Sequence, residues 1–274
     1  MGVVFSNIIA IYRRELQSYF VSPLAYAIAG VFWLLSGLFF VLSLLGPPGI
    51  GVIQSVAYKE LEAQQFGVPV PPVDVAYMFV QGFWTSIPMM WLLFFVLPIL
   101  SMGLYAEERK RGTLELLATS PVTNWAVALG KLLGVLTFFT TMILPLLAFE
   151  AIALSSANPP LPATIPLLAH FALILLAAAI LSLGMFISSL TNSTILSAVL
   201  TFAVILLLLF LDLMGKNIGG PLGKALGHLS LLTHYNTLVQ GIFDTSSIIL
   251  FASYIILGIF LTAQSIDALR FQRQ

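Results

Sequence analysis

The chain has 274 residues, 59% of them hydrophobic and only 8% charged, with a formal net charge of zero. Soluble domains carry roughly 25% charged and about 45–50% apolar residues, so this composition excludes an ordinary soluble domain and points to a polytopic membrane protein. The neutral balance offers no basic surface for nucleic acid, and the absence of cysteine excludes disulfides, thiolate metal sites and thiol nucleophiles.

The first six residues, MGVVFS, match the N-myristoylation pattern. One acyl chain adds little to a polytopic chain, so that reading is set aside. Polar YRREL at 12–16 precedes the first long apolar run, which argues against a cleaved secretory signal. In residues 5–20, Phe5, Ile8, Ile9, Tyr12, Leu16, Tyr19 and Phe20 recur at helical spacing, opposite Asn7, Arg13, Arg14, Glu15, Gln17 and Ser18. The pattern predicts a helix lying in the membrane surface, stopped by Ser22-Pro23.

A membrane span needs about 20 apolar residues. Six such runs are expected at 24–45, 81–104, 125–149, 166–190, 195–213 and 247–266. Between the first two, residues 46–80 run from GPPGIG to VPVPPVD and contain KELEAQQ, which predicts a short surface helix between stiff proline arms. Pro88 and Pro98 fall inside the second expected span and Pro145 inside the third, where each bends its helix. The aromatic runs at 31–40 and 83–95 either face lipid or line a path for lipid-like cargo. Before the last span, residues 214–246 carry Gly215, Gly219, Gly223 and Gly227 at four-residue intervals, which reads either as a small-residue helix face or as a glycine-rich loop broken by Pro221.

Six spans put both termini on one side. Arg13, Arg14, Arg109, Lys110, Arg111, Lys131, Arg270 and Arg273 then share that side, against Lys59, Lys216 and Lys224 opposite. The basic excess predicts cytoplasmic termini and places 46–80 and 214–246 outside. The whole chain, 1–274, reads as one all-α transmembrane domain with a cytoplasmic loop at 105–121.

That loop, YAEERKRGTLELLATSP, holds six of the chain's 11 basic and 11 acidic residues between Glu107 and Glu115. Arg109, Lys110 and Arg111 alone would set orientation. The acidic pair Glu107 and Glu108, the Gly112-Thr113 break and the turn carrying Leu114 and Leu117 go beyond that, and together suit a docking surface for a cytoplasmic partner. Thr113 reads as an N-cap, with Glu115 in the first turn behind it, where a negative charge favours the helix dipole.

Elsewhere there is little to carry chemistry. No G-x-S-x-G, H-E-x-x-H or P-loop pattern occurs, so no ATP site and no catalytic set is expected in this chain. His170, His228 and His234 are too scattered for a zinc site. Glu150, about 25 residues beyond Trp125, should reach the outer membrane boundary at 1.5 Å per residue. His170 could face it there, both wetted by water. Asp212 and Asp244 bracket the second external segment, which also contains His234. With no buried run of carboxylates, an ion-coupled transporter or a scaffold acting alone is disfavoured.

Glu108-Arg-Lys-Arg-Gly112-Thr113-Leu-Glu115, continuing to Ser120-Pro121, resembles the coupling loop of type-2 ABC exporter permeases. YFVSPLAY at 19–26, leading into VFWLLSGLFF, and HYNTLVQGIFDTSSIILF at 234–251 are similar to segments of the gliding-motility and copper-maturation branches of that family. The resemblance implies six spans, a surface N-terminal helix, a short coupling helix between spans two and three, and partly re-entrant helices before span six. It also implies a dimer bound to two cytoplasmic ATPase subunits, which use ATP and Mg, in the inner or plasma membrane. Glu107 to Arg111 would then make polar contacts with the ATPase, with Gly112, Thr113 and Glu115 shaping the turn and Leu114 and Leu117 packing. The cargo class (lipid, glycan, drug-like or peptide) stays open. So does a cargo-free role, in which residues 46–80 and 214–246 transmit force to a periplasmic auxiliary protein.

Overall fold

The computed structural model describes residues 2–67, 74–114, 122–155, 157 and 160–271. Every regular element among them is helical. In chain order these are α1 (Gly2–Val21), α2 (Pro23–Leu45), α3 (Val52–Phe66), α4 (Val75–Thr85), α5 (Ile87–Ser101) and α6 (Gly103–Lys110). They are followed by α7 (Asn124–Leu154), α8 (Thr164–Leu190), α9 (Thr194–Asn217), α10 (Gly220–Leu229), α11 (Leu231–Val239) and α12 (Thr245–Phe271). Six helical lengths are long and apolar enough to cross a membrane: α2, α5 with α6, α7, α8, most of α9 and most of α12.

Local chemistry explains the helix starts. The Ser22 hydroxyl accepts from the Ala25 N–H at 3.4 Å and Pro23 opens α2, so the α1–α2 joint falls at the expected Ser-Pro pair. The surface helix expected between the proline arms is α3. The second span departs from its expected bounds. Ser86 caps a new helix by accepting from the Met89 N–H at 3.3 Å, and Pro88 sits in that helix's first turn, where a missing N–H costs nothing. The span therefore runs from Ile87 to Lys110, and Pro88 begins a helix instead of bending one. Pro98 and Pro145 do lie inside helices.

Helix α8 is the hub, packing against α5, α6, α7, α9, α11 and α12. Its spanning segment is 72% buried, against 22% for α2 and 17% for α9. Small residues on α8, including Ala169, Ala172, Ala177, Ala179, Ser182 and Ser188, bring its neighbours close. The four-residue glycine series is split, with Gly219 in a break ahead of Pro221 and Gly215 and Gly227 at a helix contact, where a Cβ on Gly215 at the end of α9 would lie 2.8 Å from the Gly227 N of α10. The two aromatic runs meet along α2 and α5, where Val31, Leu35, Phe39, Trp91 and Phe95 help line an apolar groove of about 540 Å³.

Aromatic side chains reach carbonyls near the helix irregularities. Trp84, in the last turn of α4, lies four residues before Pro88, which has no N–H to offer, and the Tyr235 hydroxyl donates to the Trp84 carbonyl at 3.1 Å. The Trp33 indole donates to the Met142 carbonyl at 2.8 Å, in the turn ahead of Pro145. The Tyr19 hydroxyl donates to the Leu100 carbonyl at 2.8 Å beside the α5–α6 joint. Of these, the bond to Trp84 stands where Pro88 offers no N–H, while the other two tie α2 to α7 and α1 to α5.

Candidate functional site

The charge cluster begins on a helix, not in a loop. α6 continues α5 past Met102, so Tyr105 to Lys110 prolong the second span. The Ser188 hydroxyl of α8 serves the joint: it accepts from the N–H groups of Tyr105 and Ala106, each at 3.0 Å, and donates to the Met102 carbonyl at 2.8 Å. Arg111 caps the helix end, and Gly112 follows at φ +72°, a left-handed conformation that favours glycine. The Gly112 N–H donates to the Arg109 carbonyl at 3.2 Å and the Thr113 N–H to the Glu108 carbonyl at 3.0 Å, the paired bonds of a Schellman stop. The Thr113 hydroxyl also donates to the Glu108 carbonyl, at 3.3 Å, so Thr113 serves the end of α6. Leu114 is buried. Glu115 and Leu117 lie outside the described residues.

The five charges of 107–111 divide into two sets. Glu107 and Arg111 pair at 3.5 Å one turn apart, both exposed, and Lys110 is exposed beside them. Such a surface pair contributes only about 0.3–0.5 kcal/mol, so these side chains are free to exchange partners. Glu108 and Arg109 turn inward. The Arg109 guanidinium donates to the Ser189 carbonyl at 2.7 Å, in the last turn of α8, where carbonyls lack helical partners and a cation suits the dipole. Glu108 accepts from the Lys131 ammonium at 3.0 Å. Lys131 also donates to the Leu104 carbonyl at 2.7 Å and lies 3.4 Å from Glu15 and 4.9 Å from the centre of the Tyr105 ring. Sequence reasoning placed Lys131 only in the orientation count and Glu15 only on a helix face. A lysine among apolar neighbours at the start of α7 demands a buried acid, and that was the available signal. Nearby, burial and then the charges of Glu15 and Glu107 hold the Tyr19 phenol well above its usual range, which keeps it a donor.

The other candidates gather at the opposite end of the bundle. Glu150 is fully buried, not wetted at a boundary, because Trp84 of α4 and His170 of α8 close over its carboxyl. Its Oε1 accepts from the Trp84 indole at 2.6 Å, and its Oε2 lies 3.6 Å from His170 Nδ1, so the expected facing of Glu150 and His170 is found. Asp212, near the end of α9, accepts from the Ser230 hydroxyl and from the Thr233 hydroxyl at 2.8 Å, which joins α9 to the first turn of α11. Asp244 precedes α12 and accepts from the N–H groups of Ser246 at 3.1 Å and Ser247 at 3.2 Å. The Ser246 N–H first, then the other bonds and His234, hold its carboxyl below the usual range against the opposing effect of burial.

Ser247, His234 and Asp244 look superficially like a hydrolytic triad, but their order is wrong. Ser247 Oγ contacts both His234 Nδ1 at 2.8 Å and the Asp244 carboxylate at 3.0 Å, while His234 Nε2 meets the His228 carbonyl at 3.2 Å. A triad needs the acid and the nucleophile on opposite ring nitrogens. Ser247 is also fully buried, so this group is a latch between α11 and α12. Among the described residues, no group of three or more His, Cys, Asp or Glu is placed to hold a metal ion.

A search of curated proteins finds no match. The sequence profile of the ABC-2 family transporter proteins matches residues 29–274, from within α2 through all six spans. Proteins of that family are membrane permeases that generally work with a separate cytoplasmic ATPase. The extent of the match, laid over a bundle with six spans and a charged helical extension between the second and third, makes this chain a multi-pass member of the ABC-2 family of transporter proteins.

Proposed function

We propose that this chain is the membrane subunit of an ATP-driven exporter, working as a dimer with two cytoplasmic ATPase subunits that bind ATP and Mg. The division of charge on α6 carries the reading. Glu108 and Arg109 root the helix in the bundle, while Glu107, Lys110 and Arg111 stand exposed at its tip. A handle for another protein needs both parts, a fixed root and a free polar end. The eight basic residues placed on one side by the span order support a cytoplasmic position for this end and for both termini. The weakly covered spans α2 and α9 leave faces for a second copy and for lipid. We assign the apolar part of the cargo to the groove between α2 and α5.

The test reverses only the exposed charges. The variant Glu107→Lys with Lys110→Glu and Arg111→Glu should insert normally but lose co-purification with its ATPase. Unchanged co-purification together with an unchanged ATPase rate would sink the coupling role. Glu108 must be left alone in this experiment, since reversing it also strips a buried lysine of its partner.

A second reading, force transmission to an external protein, draws support from α3. There Ile53 and Leu61, two turns apart, are exposed. Removing residues 52–66 separates the two: an exporter keeps ATP-dependent transport, whereas a force transmitter loses its partner.

A further inference from the structure

Resting on the coupling reading of α6, we propose that Glu15, Lys131 and Glu108 form a clasp that makes α1 part of the moving device, so that α1 and α6 answer the ATPase as one body. An ammonium group has three N–H donors. Lys131 meets three oxygens: Glu15 Oε2 of α1, Glu108 Oε1 of α6, and the Leu104 carbonyl of α6. Its side chain is 5% exposed, so water does not substitute for any of them. One buried cation therefore belongs at once to the surface helix, the handle and the third span.

The packing around the clasp seats α1 on α7 and α5, so its tie to α6 runs through Lys131. Lys131 stands between Gly130 and Gly134 on α7, and α1 presses onto both. A Cβ at 130 would come within 2.8 Å of Ile11 Cγ2, and one at 134 within 2.8 Å of Glu15 Cβ. Tyr19 stacks on Phe138 of α7 with ring centres 5.1 Å apart, and its hydroxyl holds the Leu100 carbonyl of α5. Displacing α6 while α1 stays in place would pull Lys131 away from Glu15 or from Glu108. Either separation leaves a buried charge short of a partner, a strongly unfavourable state. Concerted movement avoids it.

Hydrogen exchange on the whole complex, nucleotide-free and with ATP trapped, reads this directly. In the wild type, ATP should change exchange in α1 and α6 together. In Glu15→Ala, which keeps the Cβ that packs at Gly134 and removes only the carboxylate arm, the ATPase should still co-purify and α6 should still respond, while the α1 response is lost. Glu15→Ala leaves Lys131 on Glu108 and the Leu104 carbonyl, so the root of α6 is intact when the α1 response is read. A merely structural clasp changes stability but leaves the α1 response in place, and that result overturns the proposal alone. So does a wild-type α1 that ignores ATP. A wild-type preparation with no ATPase overturns the coupling reading and this proposal with it.

Discussion

Asp244 shows how much a single capping carboxylate ties together, because it holds the first N–H groups of α12 and the Ser247 hydroxyl that contacts His234. Its folded pKa is lowered, chiefly by the Ser246 N–H. A lowered carboxylate contributes stability above its unfolded pKa and loses it as pH falls through the folded value. The thermal midpoint of the wild type should therefore exceed that of Asp244→Asn at neutral pH, and the gap should begin to narrow below about pH 4 and close as pH falls through the lowered folded value. A gap that persists at low pH would remove the electrostatic account. Caps of this kind are legible in sequence because their partners lie two or three residues away. The partners of Lys131 were not, since they lie 116 and 23 positions distant and only the fold brings them together. For the same reason the sequence suggested one undivided patch at 107–111, where the structure separates Glu108 and Arg109 from Glu107, Lys110 and Arg111.

At the scale of elements, hydropathy located all six spans but misplaced the start of the second. Apolar residues flank Thr85-Ser86 so closely that hydropathy reads one helix there, although Ser86 with Pro88 two residues on is a helix-start signal. The break matters because it leaves the Trp84 carbonyl to be satisfied by Tyr235 from α11, a residue 151 positions away. Tyr235→Phe keeps the ring and removes only the hydroxyl. An unsatisfied buried carbonyl costs about 1–3 kcal/mol. The variant should unfold at lower temperature, with faster hydrogen exchange at the α4–α5 joint. Unchanged exchange there would mean that the hydroxyl does not hold the break. The glycine series at 215–227 was equally undecidable by pattern, and the structure divides it between a break at Gly219 and a close approach of Gly215 to α10.

Over the whole molecule, polar chemistry is sorted to the two ends. Glu15, Glu108, Lys131 and Arg109 gather at the end carrying the termini; Glu150, His170, His234 and Asp244 lie at the other. The absence of native cysteine makes the proposed orientation simple to check. In intact cells, a membrane-impermeant thiol reagent should label Lys59→Cys on α3 and spare Ser18→Cys on α1. The reverse pattern would invert the topology and remove the handle from the ATPase's side. The Schellman stop has a further consequence, because it makes α6 a setter of phase. Glu108 and Arg109 fix the rotational origin of the helix, and Gly112 decides at what angle the chain leaves it. One extra alanine after Lys110 would turn everything beyond by about 100° and advance it about 1.5 Å, with both anchors untouched. Such an insertion should leave the bundle folded and its ATPase misaligned, seen as intact thermal stability with lost co-purification. If the ATPase still binds, the exit angle of the chain carries no information. If it does not, the partner is recognised by bearing as well as by charge.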